Sequence, residues 1–126
     1  MEEEKDGKVC WPLSEEIGEG EFSVYVYYYD TYKKFASLCH EEFYPCKIGR
    51  TDISHVDRII GQAGTCYPEL PVCALLIKCS DSALMENAIH NILKIRGKWL
   101  DNAPGKEWFK TNIEEIKSIY YSIMNV

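Results

Sequence analysis

The spacing of apolar and polar positions predicts an α+β domain. Residues 22–29 are rich in tyrosine and valine, a composition typical of a β-strand. Because side chains alternate along a strand, the two valines and Tyr28 face one side, and Tyr25, Tyr27 and Tyr29 face the other. The first predicted strand therefore has one aliphatic and one aromatic face.

The pattern of the remaining residues predicts a small sheet flanked by helices. The connection over 30–44 is longer than a tight hairpin requires. The elements predicted after the first strand are a short helix at 32–38, a strand at 46–50, a helix at 53–62, an apolar strand at 72–79, a helix at 82–95, a short edge strand at 107–109 and a last helix to about 123. This order, β-β-α-β-α-(β)-α, predicts an α+β fold with a small antiparallel three-stranded sheet.

The charge is distributed unevenly along the chain. The formal net charge is −6. Residues 1–21 hold eight acidic residues and two lysines, a net of −6, so residues 22–126 hold 12 acidic and 12 basic residues and are neutral. This contrast predicts an acidic N-terminal tail over 1–21 and one domain over 22–126. A neutral domain favours nucleic-acid binding that is weak, local or sensitive to salt.

The cysteines and the N-terminus indicate an intracellular protein. Six cysteines are present, but no two have C-x-x-C spacing. A zinc site from Cys39, His40 and Cys46 is conceivable, although their spacing matches no common zinc motif, and buried or bystander thiols are favoured. No apolar run reaches membrane-spanning length, and the N-terminus has no apolar signal segment. We therefore expect a cytoplasmic or nuclear protein that is neither secreted nor membrane-bound.

Two groups of residues could carry chemistry. Lys47, Arg50 and Arg58 flank one predicted strand–helix turn, where they could hold a phosphate or simply solvate the surface. Glu86 and His90 are four residues apart and share one helix face. From the pattern alone, a helix-surface role for Glu86 is favoured over a role as metal ligand.

The segment Lys47-Ile48-Gly49-Arg50-Thr51, placed between Ser23-Val24-Tyr25 and the downstream residues Arg58, Glu86 and Glu107-Trp108-Phe109, resembles a GIY-YIG nuclease domain. The similarity is to the phage and viral branch, in which the second motif reads KIGRT. It spans about residues 23 to 109. It implies a metal-dependent endonuclease that hydrolyses DNA phosphodiester bonds with Mg²⁺ or Mn²⁺.

The resemblance also implies roles for the residues of the two strand motifs. Tyr25 is the candidate base that activates water, and Tyr27 is the alternative because a shift of two residues keeps the same face. Lys47 stands where the second motif usually has tyrosine. Whether Lys47 takes over a proton-transfer role or only contacts phosphate stays open. Arg50 joins Lys47 as a candidate phosphate contact.

The resemblance implies further roles for residues downstream. Arg58 would steady the charge that builds on phosphate. Glu86 would be the metal ligand, and His90 would orient water or contact phosphate. Trp108 and Phe109 would pack, whereas the role of Glu107 stays open.

A second interpretation is a binding module. The same fold, with little catalytic activity, could engage nucleic acid or a protein partner, and the neutral domain, the acidic tail and the missing second tyrosine favour this alternative. Retention of the arginine, glutamate and histidine together favours the enzyme. The expected partner is DNA, including branched or single-stranded DNA, with specificity supplied by the 30–44 loop, by a homodimer or by a protein partner.

Overall fold

The computed structural model describes residues 15–51 and 68–125, together with the backbone of two short N-terminal strands. Those strands, β1 (Glu4–Lys5) and β2 (Lys8–Val9), pair with each other antiparallel. The other elements are β3 (Glu16–Gly18), β4 (Phe22–Tyr28), α1 (Asp30–Leu38), β5 (Tyr44–Thr51), β6 (Val72–Cys79), α2 (Ser82–Ile95), β7 (Trp108–Thr111) and α3 (Ile113–Met124).

The α+β class is confirmed, but the sheet is larger than predicted. Its strand order is β3-β6-β4-β5-β7. The three central strands are antiparallel as expected, with β4 between β5 and β6. The prediction of a three-stranded sheet is wrong, because the predicted short edge strand, found as β7, joins the sheet antiparallel to β5, and β3 adds a parallel edge that was not predicted. Both edge strands have at most four residues, too few to give a clear period-2 pattern.

β3 lies within the segment that was predicted to be an acidic tail. Ile17 pairs with Ile77 of β6, and the backbone N–H of Leu76 donates to the Glu15 carbonyl at 2.9 Å. Glu15 also pairs with Lys117 of α3 at 2.6 Å. Residues 15–18 therefore contribute an edge to the sheet, while the wider division into tail and domain stays a prediction.

The two faces of β4 separate as the alternation predicted. Val24 and Val26 are fully buried in the main core, which includes Met85, Ile89 and Leu93 of α2. The opposite face carries a second cluster, composed of Tyr25, Tyr27, Tyr29, Cys73 and Leu76, with Trp108 packed against it. One sheet thus separates an aliphatic core from an aromatic layer.

The two helices on the main core begin at side-chain caps. Asp81 accepts a hydrogen bond from the Leu84 N–H at 3.0 Å, and Asn112 accepts one from the Glu115 N–H at 2.8 Å. Each bond satisfies a backbone donor that the first helical turn leaves without an intrahelical partner. None of the helices in the described part of the chain has the length and apolarity needed to cross a membrane.

The predicted helix at 53–62, and with it Arg58, lies outside the described residues.

Gly49 is where β5 and the aromatic layer meet most closely. It pairs with Tyr25 of β4. A Cβ atom at Gly49 would lie 2.4 Å from Tyr25 Oη and 2.5 Å from Tyr25 Cζ, distances that real Cβ contacts essentially never show. The glycine is therefore required by the tyrosine ring that crosses it.

We expect Gly49→Ala to lower the free energy of unfolding by about 1–3 kcal/mol, as for other overpacked cores. The measurement is urea unfolding of the wild type, Gly49→Ala, Tyr25→Val and the double variant. Because Tyr25→Val removes the ring, Gly49→Ala should be much less costly in that background. Equal costs in the two backgrounds would contradict the proposed clash.

Candidate functional site

A row of three side chains crosses the aromatic face of the sheet. Lys47 of β5 pairs with Tyr27 on one side and with Trp108 of β7 on the other. The Tyr27 and Trp108 rings meet edge to face with centroids 5.8 Å apart, and Tyr25 stacks on Tyr27 at 6.0 Å. Both candidate tyrosines and Lys47 therefore lie on one face of the sheet.

Glu86 is buried at the start of α2. Its side chain is 9% exposed, although the pattern alone favoured a surface position. The Arg50 Nε atom lies 3.9 Å from Glu86 Oε1, and Glu86 Oε2 is buried without a hydrogen-bond partner. A buried carboxylate oxygen without a donor is costly, so this atom marks a place where a further group can bind.

Ile48 joins the strands and the helix at this point. Its backbone N–H donates to the Glu107 carbonyl at 2.9 Å. Its own carbonyl lies 2.8 Å from His90 Nε2 of α2. Burial lowers the pKa of His90, and a neutral ring that donates through Nε2 satisfies the Ile48 carbonyl.

The contact with Ile48 limits which atoms of the His90 ring are available for chemistry. The ring also packs against Phe109, with centroids 4.7 Å apart. Since Nε2 donates to the backbone in the neutral ring, only Nδ1 is left, and it can accept a hydrogen bond from water but cannot donate one to phosphate. The role of His90 in catalysis stays a prediction, whereas its contact with β5 fixes the turn of α2 that carries Glu86.

Glu107 is the residue whose importance the sequence did not reveal. Its carboxylate accepts from Lys47 Nζ at 3.3 Å, and its charge acts on the pKa values of Tyr27, Glu86 and His90. The Glu107-Trp108-Phe109 motif belongs to the family resemblance, but it left the role of Glu107 open. The structure brings it together with Lys47 and Glu86.

The pKa of Glu86 is raised to about 7. Burial is the largest cause and the charge of Glu107 the second, while Arg50 and Lys47 act in the opposite direction. A hydrogen bond between the Glu86 and Glu107 carboxyl groups also raises this pKa, and it exists only while a proton lies between them; with both groups ionised, Glu86 Oε2 has no donor. The Glu86 carboxyl group therefore keeps its proton at mildly acidic pH.

Burial also raises the pKa of Tyr27, and the neighbouring Tyr29, Tyr25 and Glu107 raise it further. Tyr27 therefore keeps its hydroxyl proton at neutral pH and serves as a hydrogen-bond donor. This protonation state suits the orientation of an oxygen atom better than the removal of a proton from water.

The donor set suits a hydrated hard cation better than zinc. Among residues 15–51 and 68–125, no group of three or more His, Cys, Asp or Glu side chains is arranged to hold a metal ion. Cys46 is fully buried and its thiol faces the Tyr44 and Thr111 carbonyls, whereas Cys39 is exposed. The conceived Cys39–His40–Cys46 zinc site therefore has no support. Mg²⁺, which keeps several waters and takes one or two carboxylates, fits the orphan oxygen of Glu86.

We expect the metal-free wild type to lose stability as the pH rises from about 4.5 through 7. The native state binds the Glu86 proton more tightly than the unfolded chain, in which Glu86 has its ordinary pKa of 4.5. The stability that this proton contributes is therefore complete below pH 4.5 and is lost as the pH rises past 7. Glu86→Gln lacks this proton. In urea unfolding with a chelator present, the free energy of unfolding of Glu86→Gln relative to that of the wild type should increase by about 2–3 kcal/mol from pH 5 to pH 8. Parallel pH curves for the two proteins would contradict the raised pKa.

The match to known proteins covers nearly all of the described domain. The T5orf172 domain matches residues 23–124. No curated protein and no solved structure matches the chain significantly. The matched range includes both strand motifs, α2 and Glu107. The chain therefore belongs to the T5orf172 domain family.

Proposed function

We propose that this protein is a metal-dependent endonuclease that hydrolyses DNA phosphodiester bonds. Membership of the T5orf172 domain family is in keeping with a nuclease-like or DNA-binding role. The observation that carries the proposal is the buried Glu86 carboxylate, which has one oxygen without a hydrogen-bond partner and lies beside Arg50 and Lys47. A carboxylate in a phosphate site repels the substrate unless a cation lies between them.

Glu86 would hold Mg²⁺ or Mn²⁺ in this proposal. When bound, the cation would polarise the scissile phosphate and stabilise the leaving oxygen. Burial and Arg50 fix the Glu86 side chain, and His90 fixes the helical turn that carries it. The chain thus supplies a rigid ligand before substrate arrives.

Lys47 and Arg50 would receive the phosphate. The Arg50 side chain is 55% exposed and 3.9 Å from Glu86, a separation that leaves guanidinium donors available for a phosphate oxygen. Lys47 Nζ is held by Glu107 within reach of the aromatic face. Lys47 therefore acts as an oriented cation in the place of the second-motif tyrosine.

The tyrosines would orient the attacking water. The Tyr27 hydroxyl stays protonated, and Tyr25 is fixed against Gly49. We assign the orientation of the attacking water to these two tyrosines. The charge of Glu107 acts on the pKa of Tyr27. Arg58 enters through the GIY-YIG resemblance alone, as the group that steadies charge on phosphate.

One observation favours the alternative of a binding module. Lys47 and Arg50 each already face a carboxylate, so the two cations and two carboxylates nearly cancel in the metal-free chain. Such a site attracts nucleic acid weakly. Binding of nucleic acid or of a protein partner without cleavage would then be the function of the same face.

The test is nicking of supercoiled plasmid and cleavage of branched DNA with Mg²⁺ or Mn²⁺. We expect the wild type to cut and Glu86→Gln to lose on the order of 100-fold or more in rate, because a metal contributes several kcal/mol to the transition state. The control is Glu41→Gln, which removes the same charge from an exposed pair with Lys110. It should cut like the wild type.

Two results would contradict the proposal, the first in the role of Glu86 and the second in the enzymatic activity itself. Equal metal-dependent cutting by the wild type and Glu86→Gln would show that Glu86 does not hold the metal. No cutting by folded wild type, with DNA bound at low salt, would support the binding module instead.

A further inference from the structure

We propose that Glu107 is the second protein ligand of the cation held by Glu86. This inference rests on the proposed function and adds a residue from a different element of the domain. Glu107 precedes β7, while Glu86 lies in the second turn of α2. The site is thereby divided between a helix and a sheet edge.

The backbone holds Glu107 in place. The Ile48 N–H donates to the Glu107 carbonyl at 2.9 Å, so Glu107 lies opposite Ile48 just before the ladder of β5 and β7. The Ile48 carbonyl faces His90 Nε2 at 2.8 Å, one helical turn from Glu86. Both carboxylate-bearing elements are therefore anchored to one residue of β5.

The side chains converge from these anchors. Glu86 is buried, and its Oε2 atom has no hydrogen-bond partner. Glu107 is near enough to Glu86 for the two carboxyl groups to influence one another, and it pairs with Lys47 Nζ at 3.3 Å. Two neighbouring carboxylates from separate elements, one of them with a buried oxygen that no donor satisfies when both are ionised, form a site for a hard cation.

Lys47 has a definite part in this arrangement. Its Nζ atom lies 3.3 Å from Glu107 Oε1, and its side chain is only 14% exposed. A divalent cation held by Glu107 would compete with this ammonium group for the carboxylate and would leave Lys47 available to a phosphate. Metal binding and phosphate binding are thereby coupled through one lysine.

The experiment measures Mn²⁺ binding directly. Each protein is titrated with Mn²⁺ while the electron paramagnetic resonance signal of the free aquo ion reports affinity. Water-proton relaxation at saturation reports the number of waters on the bound Mn²⁺. The proteins are wild type, Glu107→Gln, Glu86→Gln, Lys47→Gln and the charge-matched control Glu41→Gln.

We expect Glu107→Gln to weaken Mn²⁺ binding at least about tenfold, as loss of even an outer-shell partner does. It should also add one water to the bound ion, because water takes the vacated position. Lys47→Gln keeps both carboxylates, so it should bind Mn²⁺ more tightly with the wild-type number of waters. Glu41→Gln should match the wild type in both measurements.

Several results would overturn the inference. Weaker binding by Glu107→Gln with an unchanged number of waters would mean that Glu107 acts through its charge alone. Wild-type binding by Glu107→Gln, with binding lost in Glu86→Gln, would leave Glu86 as the ligand and the proposed function intact. Absence of Mn²⁺ binding in the folded wild type would reject both the inference and the metal-dependent function. If Glu107→Gln does not fold, Lys47→Gln still tests the inference. Weaker Mn²⁺ binding by Lys47→Gln, or a changed number of waters on its bound ion, would reject the inference.

Discussion

The two hydrogen bonds of the Ile48 peptide groups are the constraint on which the site depends. The N–H binds the start of the edge strand, and the carbonyl binds a histidine of the helix. Ile48 itself is fully buried, so water does not compete for these bonds. A single strand residue thereby sets the position of Glu107 relative to the turn of α2 that carries Glu86 and His90.

Two carboxyl groups and two basic side chains lie around Ile48, and together they determine how easily Glu86 ionises. Burial makes the Glu86 carboxylate hard to ionise, and Glu107 increases that cost. Lys47 and Arg50 offset part of it. Ionisation of Glu86 therefore costs stability, and strongly perturbed carboxyl groups of this kind are common at functional sites.

Much of the fold could be predicted because its signals are local. The tyrosine and valine alternation of β4 and the apolar run of β6 each depend on neighbouring residues, and both strands were found where expected. The edge strands were missed or shortened because pairing across the sheet determines them, and no local pattern records that pairing. The role of Glu107 was missed for the same reason. A glutamate before a short aromatic strand looks like a solvated residue until Lys47 and Glu86 are placed beside it.

The pairing of β3 with β6 has a consequence for how the protein should be trimmed. Removing the first 21 residues as a dispensable acidic leader would also remove the strand that covers one side of β6. An apolar strand with an uncovered edge is a template for pairing with other chains. Aggregation or non-specific DNA binding after such a deletion would then reflect an exposed sheet edge rather than the loss of the acidic residues. Cutting the chain before Glu15 keeps that edge closed and separates the two effects.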